Sequence, residues 1–226
     1  MSLPAGQYYP RIGRGPWRHQ QSPYAGALVA ARQQLTLLDG DLNTIFTYVH
    51  PHTSQSEVFG HHIRNLLILS ATEFEAQCVG ILRANNTQPI GQHFNTNDYV
   101  KLNAAMRLDE YELQLSMFPE YPLIAPFANW NANAPTRSLV WYDAYNQTKH
   151  NREQNFAAAS LHYAICSVAA TFAIYMAQAL GTDCNAPSLR LPRTFVATKW
   201  PKLSDVGGRY QQPADRTTWT PVDYPF

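Results

Sequence analysis

Apolar residues recur in steps of three and four from Leu28 onward: Leu28, Ala31, Leu35, Leu38, Leu42, Ile45 and Val49. Such steps keep side chains on one face of a helix, so the segment predicts an amphipathic helix. Gly40 is a weak point inside it, and Pro51 ends it. A second helix is expected from Ser54 to about Ala84, with apolar residues through most of Ile63–Leu82. An arc that wide suits a helix covered on more than one side. Asn85-Asn86-Thr87-Gln88-Pro89 breaks the pattern, and a short helix follows over Asn97–Leu108, capped by Asn95 or Thr96.

At Tyr111 the period changes to two: Tyr111, Leu113, Leu115 and Met117 alternate with polar residues, which predicts a half-buried strand. Pro119-Glu120-Tyr121-Pro122 makes a turn, and Leu123–Phe127 is expected to return as a second strand. Ser138 is a candidate N-cap for a long segment without Pro or Gly that closes at Gly181 and Asp183. From Gln154 to Thr182 that segment has no formally charged residue. One unbroken helix of this length is unusual, so a break or kink is expected between His150 and Asn155. After Ser188 the chain is punctuated by Pro and has one strand-like run, Arg193–Lys199. The fold class is therefore mainly α: a helical bundle with a small β-hairpin or three-stranded element and an irregular C-terminal wrap. Residues 1–22 form an irregular basic arm. Residues 23–226 form a single domain, with a β insert at about 109–128 and a C-terminal extension at about 186–226.

The chain has 226 residues, enough for a sizeable core, and a formal charge of +1, which makes no general case for a nucleic-acid or membrane surface. Charge is local instead. The arm carries Arg11, Arg14 and Arg18 among Gly13, Gly15 and Pro16, and the first acid is Asp39. It reads either as an RNA- or partner-binding arm or as a solvated tail packed loosely on its own domain. Cys78, Cys166 and Cys184 form no CxxC pair, which suits buried free thiols in a reducing compartment, and the N-terminus lacks the apolar core of a secretory signal. Phe156–Leu180 is long enough to span a bilayer. It is largely Ala broken by Ser160, His162, Ser167, Thr171 and Gln178, so a central helix of a soluble, cytoplasmic bundle is expected and no membrane partner.

Chemistry concentrates in Trp141-Tyr-Asp-Ala-Tyr-Asn-Gln-Thr-Lys-His-Asn-Arg152. At helical spacing Tyr142, Asn146, Lys149 and Glu153 share a face bordered by His150, with Tyr145 and Arg152 on the other flank. Nearby positive charge favours a neutral His150, which can accept a proton, while Lys149 or Arg152 stabilises a developing phosphorane. These parts suit metal-independent RNA cleavage. They equally suit a helix entrance whose polar residues bond a neighbouring loop and Glu73 or Glu75. On the second helix Arg64, Ile68, Ala71 and Glu75 share a face, and Glu75 is the expected partner of Lys149 or Arg152. Glu73 points more to the polar side. His50, His52, His61, His62 and His93 lack the carboxylate spacing of a metal motif, and no Walker loop, GxGxxG or GxSxG motif occurs. Neither a metal nor a cofactor is implied.

The Asn146-xx-Lys149-His150 stretch opening a long apolar helix resembles the HEPN superfamily. That resemblance implies a compact helical bundle, often dimeric. Many members are metal-independent endoribonucleases in toxin–antitoxin, phage-defence and RNA-processing systems. Their motif is an Arg, a polar residue and a short gap to a His. By that likeness His150 is the base or acid, Asn146 orients the site, and Lys149 and Arg152 hold phosphate. Tyr142, Tyr145, Arg64, Glu73 and Glu75 support them. The motif Arg falls at Tyr145, a departure that raises the alternative of a catalytically inactive module. Arg14 and His19 have the motif spacing, but Gly15 and Pro16 between them exclude a helix. The partners implied are RNA, a second copy in a homodimer, and a protein partner or antitoxin.

Overall fold

The computed structural model describes residues 3–13, 22–179, 191–202 and 218–226. In chain order the elements are β1 (Gln7–Tyr8), α1 (Ala25–Phe46), α2 (His61–Ala84), α3 (Thr96–Tyr99), α4 (Lys101–Met106) and β2 (Glu112–Leu115). There follow α5 (Val140–His150), α6 (Arg152–Asn155), α7 (Leu161–Ala179), β3 (Phe195–Lys199) and β4 (Thr220–Pro221). The fold is mainly α.

α7 is the central helix, packed chiefly against α2, with α1 and α5 closing the remaining sides. α1 buries Leu28, Ala31, Leu35, Leu38, Leu42 and Ile45, the stripe expected of it. Ala164, Ala169, Ala170, Ala173 and Ala177 are buried along α7, and these short side chains let neighbouring helices approach closely. The apolar window Leu161–Gln178 is 89% buried inside the fold, so its hydrophobicity serves the core. Ser167, Thr171 and Gln178 find partners on α2. Ser70 and Ser167 hydroxyls lie 2.7 Å apart, Thr171 Oγ1 donates to the Ser70 carbonyl at 3.0 Å, and Gln178 Nε2 donates to Gln77 Oε1 at 2.9 Å. Buried polar groups without such partners would cost about 1–3 kcal/mol each.

One expected helix is shorter than its sequence pattern, and the long segment from Ser138 is broken where a break is expected. The second helix begins at His61 rather than Ser54, after a 3-10 turn at Thr53–Gln55. The long segment from Ser138 is three helical pieces, broken at Asn151, which leaves the helical region with φ −142° and ψ 72°. The turn at residues 56–59 meets the start of α7, where Leu161 N–H donates to Val58 O at 2.7 Å and His162 N–H to Ser56 O at 3.1 Å. These bonds satisfy α7's first donors, and starting α2 at Ser54 would forfeit them. Ser138 is not an N-cap: its hydroxyl accepts from Asn131 N–H at 3.1 Å, and Leu139 holds the cap position. Asn95 does cap α3, reciprocally with Asp98. The expected stop at Gly181 and Asp183 lies outside the described residues.

β2 alternates half-buried and buried residues as its period predicts, and pairs antiparallel with β3 across 80 residues of chain. Leu123–Phe127 contributes one bridge, Leu113 to Ile124, rather than a strand. The arm is not loosely packed where it is described. Leu3, Tyr8 and Ile12 are buried, and β1 pairs parallel with β4. Arg11, at φ 59°, enters between α2 and α7: its Nε donates to Gln178 Oε1 at 2.8 Å and its guanidinium rests against Gly80. Arg14 and Arg18 lie outside the described residues.

Gly40 and Gly80 are both helical, but only Gly80 faces a neighbour. Gly40→Ala is expected to stabilise the fold by about 0.5–1 kcal/mol, because a methyl there meets open space and the helix gains propensity. Gly80→Ala is expected to cost about 1–3 kcal/mol by displacing Arg11. Urea denaturation of both variants measures the two signs.

Candidate functional site

α5 presents its apolar residues Trp141, Tyr142, Ala144 and Tyr145 to the core, which leaves the polar end of the segment at its C-terminal turn. Trp141 is anchored by its indole N–H on Pro126 O at 2.8 Å, and its ring meets Phe74 edge-on at 5.3 Å. The turn that follows carries Lys149 and His150, placed where cations suit the negative end of a helix. Because α5 ends at His150, Glu153 and Arg152 belong to α6. They do not extend the face formed by Tyr142, Asn146 and Lys149. The expected four-residue surface is therefore a three-residue one, and Arg152 is not on a helical flank with Tyr145.

Glu75 pairs with α5, but through Tyr142: the Tyr142 hydroxyl donates to Glu75 Oε1 in a short hydrogen bond. Burial foremost, then that bond and the Glu75 charge, push the Tyr142 phenol far above its usual range. Tyr99 is raised for the same reasons, burial first and Glu75 next. Lys149 takes neither glutamate as an ion pair among the described residues; its Nζ donates to the Tyr145 hydroxyl at 2.7 Å and lies 4.9 Å from the Tyr145 ring centre. The Tyr145 bond foremost, with the Tyr145 and Glu75 fields, outweighs partial desolvation and holds the ammonium charged. Glu73 is half-buried and accepts from Gln77 Nε2 at 3.0 Å. Its carboxyl is raised by burial, against the bond from Gln77 and the Arg11 charge. It serves the α2–α7 contact instead of the α5 site.

Arg64 reaches α5 from the start of α2, with Nη2 3.4 Å from the Thr148 carbonyl, while its Nε is buried without a partner. Lys149, His150 and Arg152 are exposed and Asn146 is half-buried. Among the described residues no hydrogen bond or ion pair holds the side chains of His150 or Arg152. The structure thus brings Glu75, Tyr142, Tyr145 and Lys149 into one network and leaves His150 and Arg152 as a solvent-facing edge beside it.

Other titratable groups meet elsewhere. Tyr121 Oη lies 3.0 Å from His162 Nδ1, and Cys166 Sγ lies 3.7 Å from His162 Nε2. The four-residue spacing of His162 and Cys166 was legible on α7, but Tyr121 comes from the distant β insert. Burial lowers the His162 pKa against the pull of Glu57, and burial pushes the Cys166 thiol up to about 12. A cleft of about 450 Å³ opens at the far end of α2, around Arg83, His93 and Phe94. Among the described residues no three His, Cys, Asp or Glu side chains group as metal ligands.

Comparison of the chain with protein-family models, with curated proteins and with solved structures finds no match.

Tyr142→Phe leaves the half-buried Glu75 carboxylate without its donor and is expected to cost about 1–3 kcal/mol in urea denaturation. His162 gives a pH dependence of definite sign. Its folded pKa lies below the ordinary 6.5, so the unfolded chain binds the proton more readily. The stability it contributes is complete above 6.5 and is lost as pH falls through the lowered value. The denaturation midpoint is expected to fall between about pH 7 and 5, the range over which histidines titrate, and to fall less in His162→Gln. Identical profiles would exclude His162 as the source.

Proposed function

We propose that the chain is a HEPN-like helical module of RNA metabolism or defence, which binds RNA through the C-terminal end of α5 without cleaving it. One observation carries this reading: Lys149 and His150 at the end of α5 and Arg152 at the start of α6 face solvent, with the Arg64 guanidinium set against the same end of α5. Exposed cations spaced along an edge suit phosphate oxygens, which position a strand without reading its sequence. Binding fits these residues better than catalysis. A general base needs a partner that fixes its ring, and His150 has none among the described residues. The position where the superfamily's motif has Arg is Tyr145, buried and bonded to Lys149. The module acts in the reducing cytoplasm, and a homodimer would place two such edges on one RNA. A protein partner or antitoxin would use the same edge.

A metal-independent endoribonuclease is the second reading, favoured by the adjacency of exposed His150 and Lys149. In that case His150 takes the ribose 2′-hydroxyl proton as the 2′-oxygen bonds to phosphorus, the P–O5′ bond breaks to leave a 2′,3′-cyclic phosphate, and the departing 5′-oxygen takes a proton from water, while Lys149 and Arg152 stabilise charge on the phosphate and Asn146 orients it.

Two assays separate the readings. Fluorescence anisotropy with single-stranded RNA is expected to show salt-dependent binding, with the salt slope reduced by about one in Lys149→Ala and again in Arg152→Ala. Incubation of RNA with wild type and His150→Ala in the presence of chelator is expected to show no difference. Cleavage lost in His150→Ala would establish the ribonuclease, and absence of RNA binding would overturn both.

A further inference from the structure

The cleft at the end of α2 is built by a loop held at several points. Thr87 N–H returns to Leu82 O at 3.0 Å, which turns the chain out of the helix, and Asn86 takes the left-handed conformation at φ 51°. Asn86 Nδ2 donates to the Asp223 carboxylate at 3.0 Å, tying the turn to the C-terminal segment. Further on, the fully buried Asp98 accepts from Ile90 N–H at 3.0 Å and from Asn95 N–H at 3.2 Å. Asn86 and Thr87 at the cleft's edge are thus engaged in holding the loop, while the Arg83, Gln88 and Gln92 side chains have no hydrogen bond among the described residues.

Those side chains have a particular chemistry. The Arg83 guanidinium lies over the Phe94 ring, 5.9 Å from its centre, and makes no ion pair among the described residues. A guanidinium is planar and can stack on one face while its edge donates hydrogen bonds. Val79 and Pro89 add apolar surface, Gln88 and Gln92 supply amides that both donate and accept, and His93 adds a ring nitrogen. Asp223, the acid tied to this loop, is engaged by Asn86, leaving Arg83 as the cation open to an anion. We infer that this cleft binds a ribonucleotide: the base stacks on the Arg83–Phe94 pair, the glutamine amides bond its edge, and Arg83 and His93 meet the phosphate. Unstacked bases are recognised by such combinations of planar cations, aromatic rings and amides. A volume of about 450 Å³ accommodates one nucleotide. The site is separate from the α5 edge, since Arg64 and Arg83 are 19 residues apart on α2, roughly 28 Å at helical rise.

The test is calorimetric titration of the full chain with each of the four ribonucleoside 5′-monophosphates, the four nucleosides and inorganic phosphate. At least one nucleotide is expected to bind, and Arg83→Ala is expected to weaken it about tenfold, the scale of a lost stacking contact. Arg83→Lys keeps the charge and loses the plane, and is expected to weaken binding nearly as much. Gln88→Ala, at an exposed loop position, probes the base edge without touching the core. Nucleotide binding lost in Lys149→Ala and kept in Arg83→Ala would place the nucleotide at the α5 edge and overturn the inference, whereas RNA binding measured by anisotropy reports on the α5 reading alone. No binding by any nucleotide at millimolar concentration would overturn the inference. Equal affinity in wild type and Arg83→Ala, or phosphate alone binding as tightly as the nucleotide, would overturn it as well.

Discussion

The close approach of α2 and α7 is the constraint on which the other contacts depend. Small residues on α7 bring the two helices together, and the polar groups trapped between them must then find partners within the contact. Ser70, Ser167 and Thr171 do so at its middle, and Gln77, Gln178 and Arg11 do so toward its end. Such a ladder fixes register as well as distance, because a one-turn slip would leave each of these groups unsatisfied. It also recruits the N-terminal arm: Gln178 is completed only when Arg11 is in place, and Gly13 N–H donates to Ala177 O at 3.1 Å.

Fixing α2 against α7 also fixes what each helix offers to the rest of the chain. The start of α7 meets residues 56–59, which holds the segment before α2 out of the helix. α2 in turn presents Arg64 and Glu75 to α5, and the pairing of Glu75 with Tyr142 sets how α5 is rotated. Trp141, Tyr142 and Tyr145 turn inward, and Lys149, one turn beyond Tyr145 on the same face, reaches back to its hydroxyl from the exposed end of the helix. The exposed edge lies where α5 runs out past its buried aromatic half.

The two polar regions differ in their physical character. At the end of α5 the charges are exposed and loosely held, which suits contacts that position a flexible anionic polymer. At the end of α2 the loop is braced by a buried carboxylate, Asp98, and by the C-terminal segment, so the cleft is preformed. Asn85 links these parts, donating to Pro10 O at 2.8 Å while its Oδ1 accepts from Tyr224 N–H at 3.0 Å. Both chain ends are thereby brought against the end of α2.

The sequence by itself determined the elements whose periodicity is strong and local. The stripe from Leu28 to Ile45, the Asn95 cap, the period-two strand at Leu113 and Leu115, the break after His150 and the cluster Tyr142–Arg152 were all legible, because neighbours in sequence carry the signal. Only the tertiary structure decided the partners. Glu75 could be matched to α5 from its face, but the choice of Tyr142 over Lys149 depends on side-chain reach across two packed helices. The start of α2 at His61, the pairing of β2 with β3, the docking of Arg11 and the cleft around Arg83 all rest on contacts between distant segments. Periodicity records which side of an element is buried. It carries no information about what is buried against it, and that is why the faces were readable and the site's connections were not.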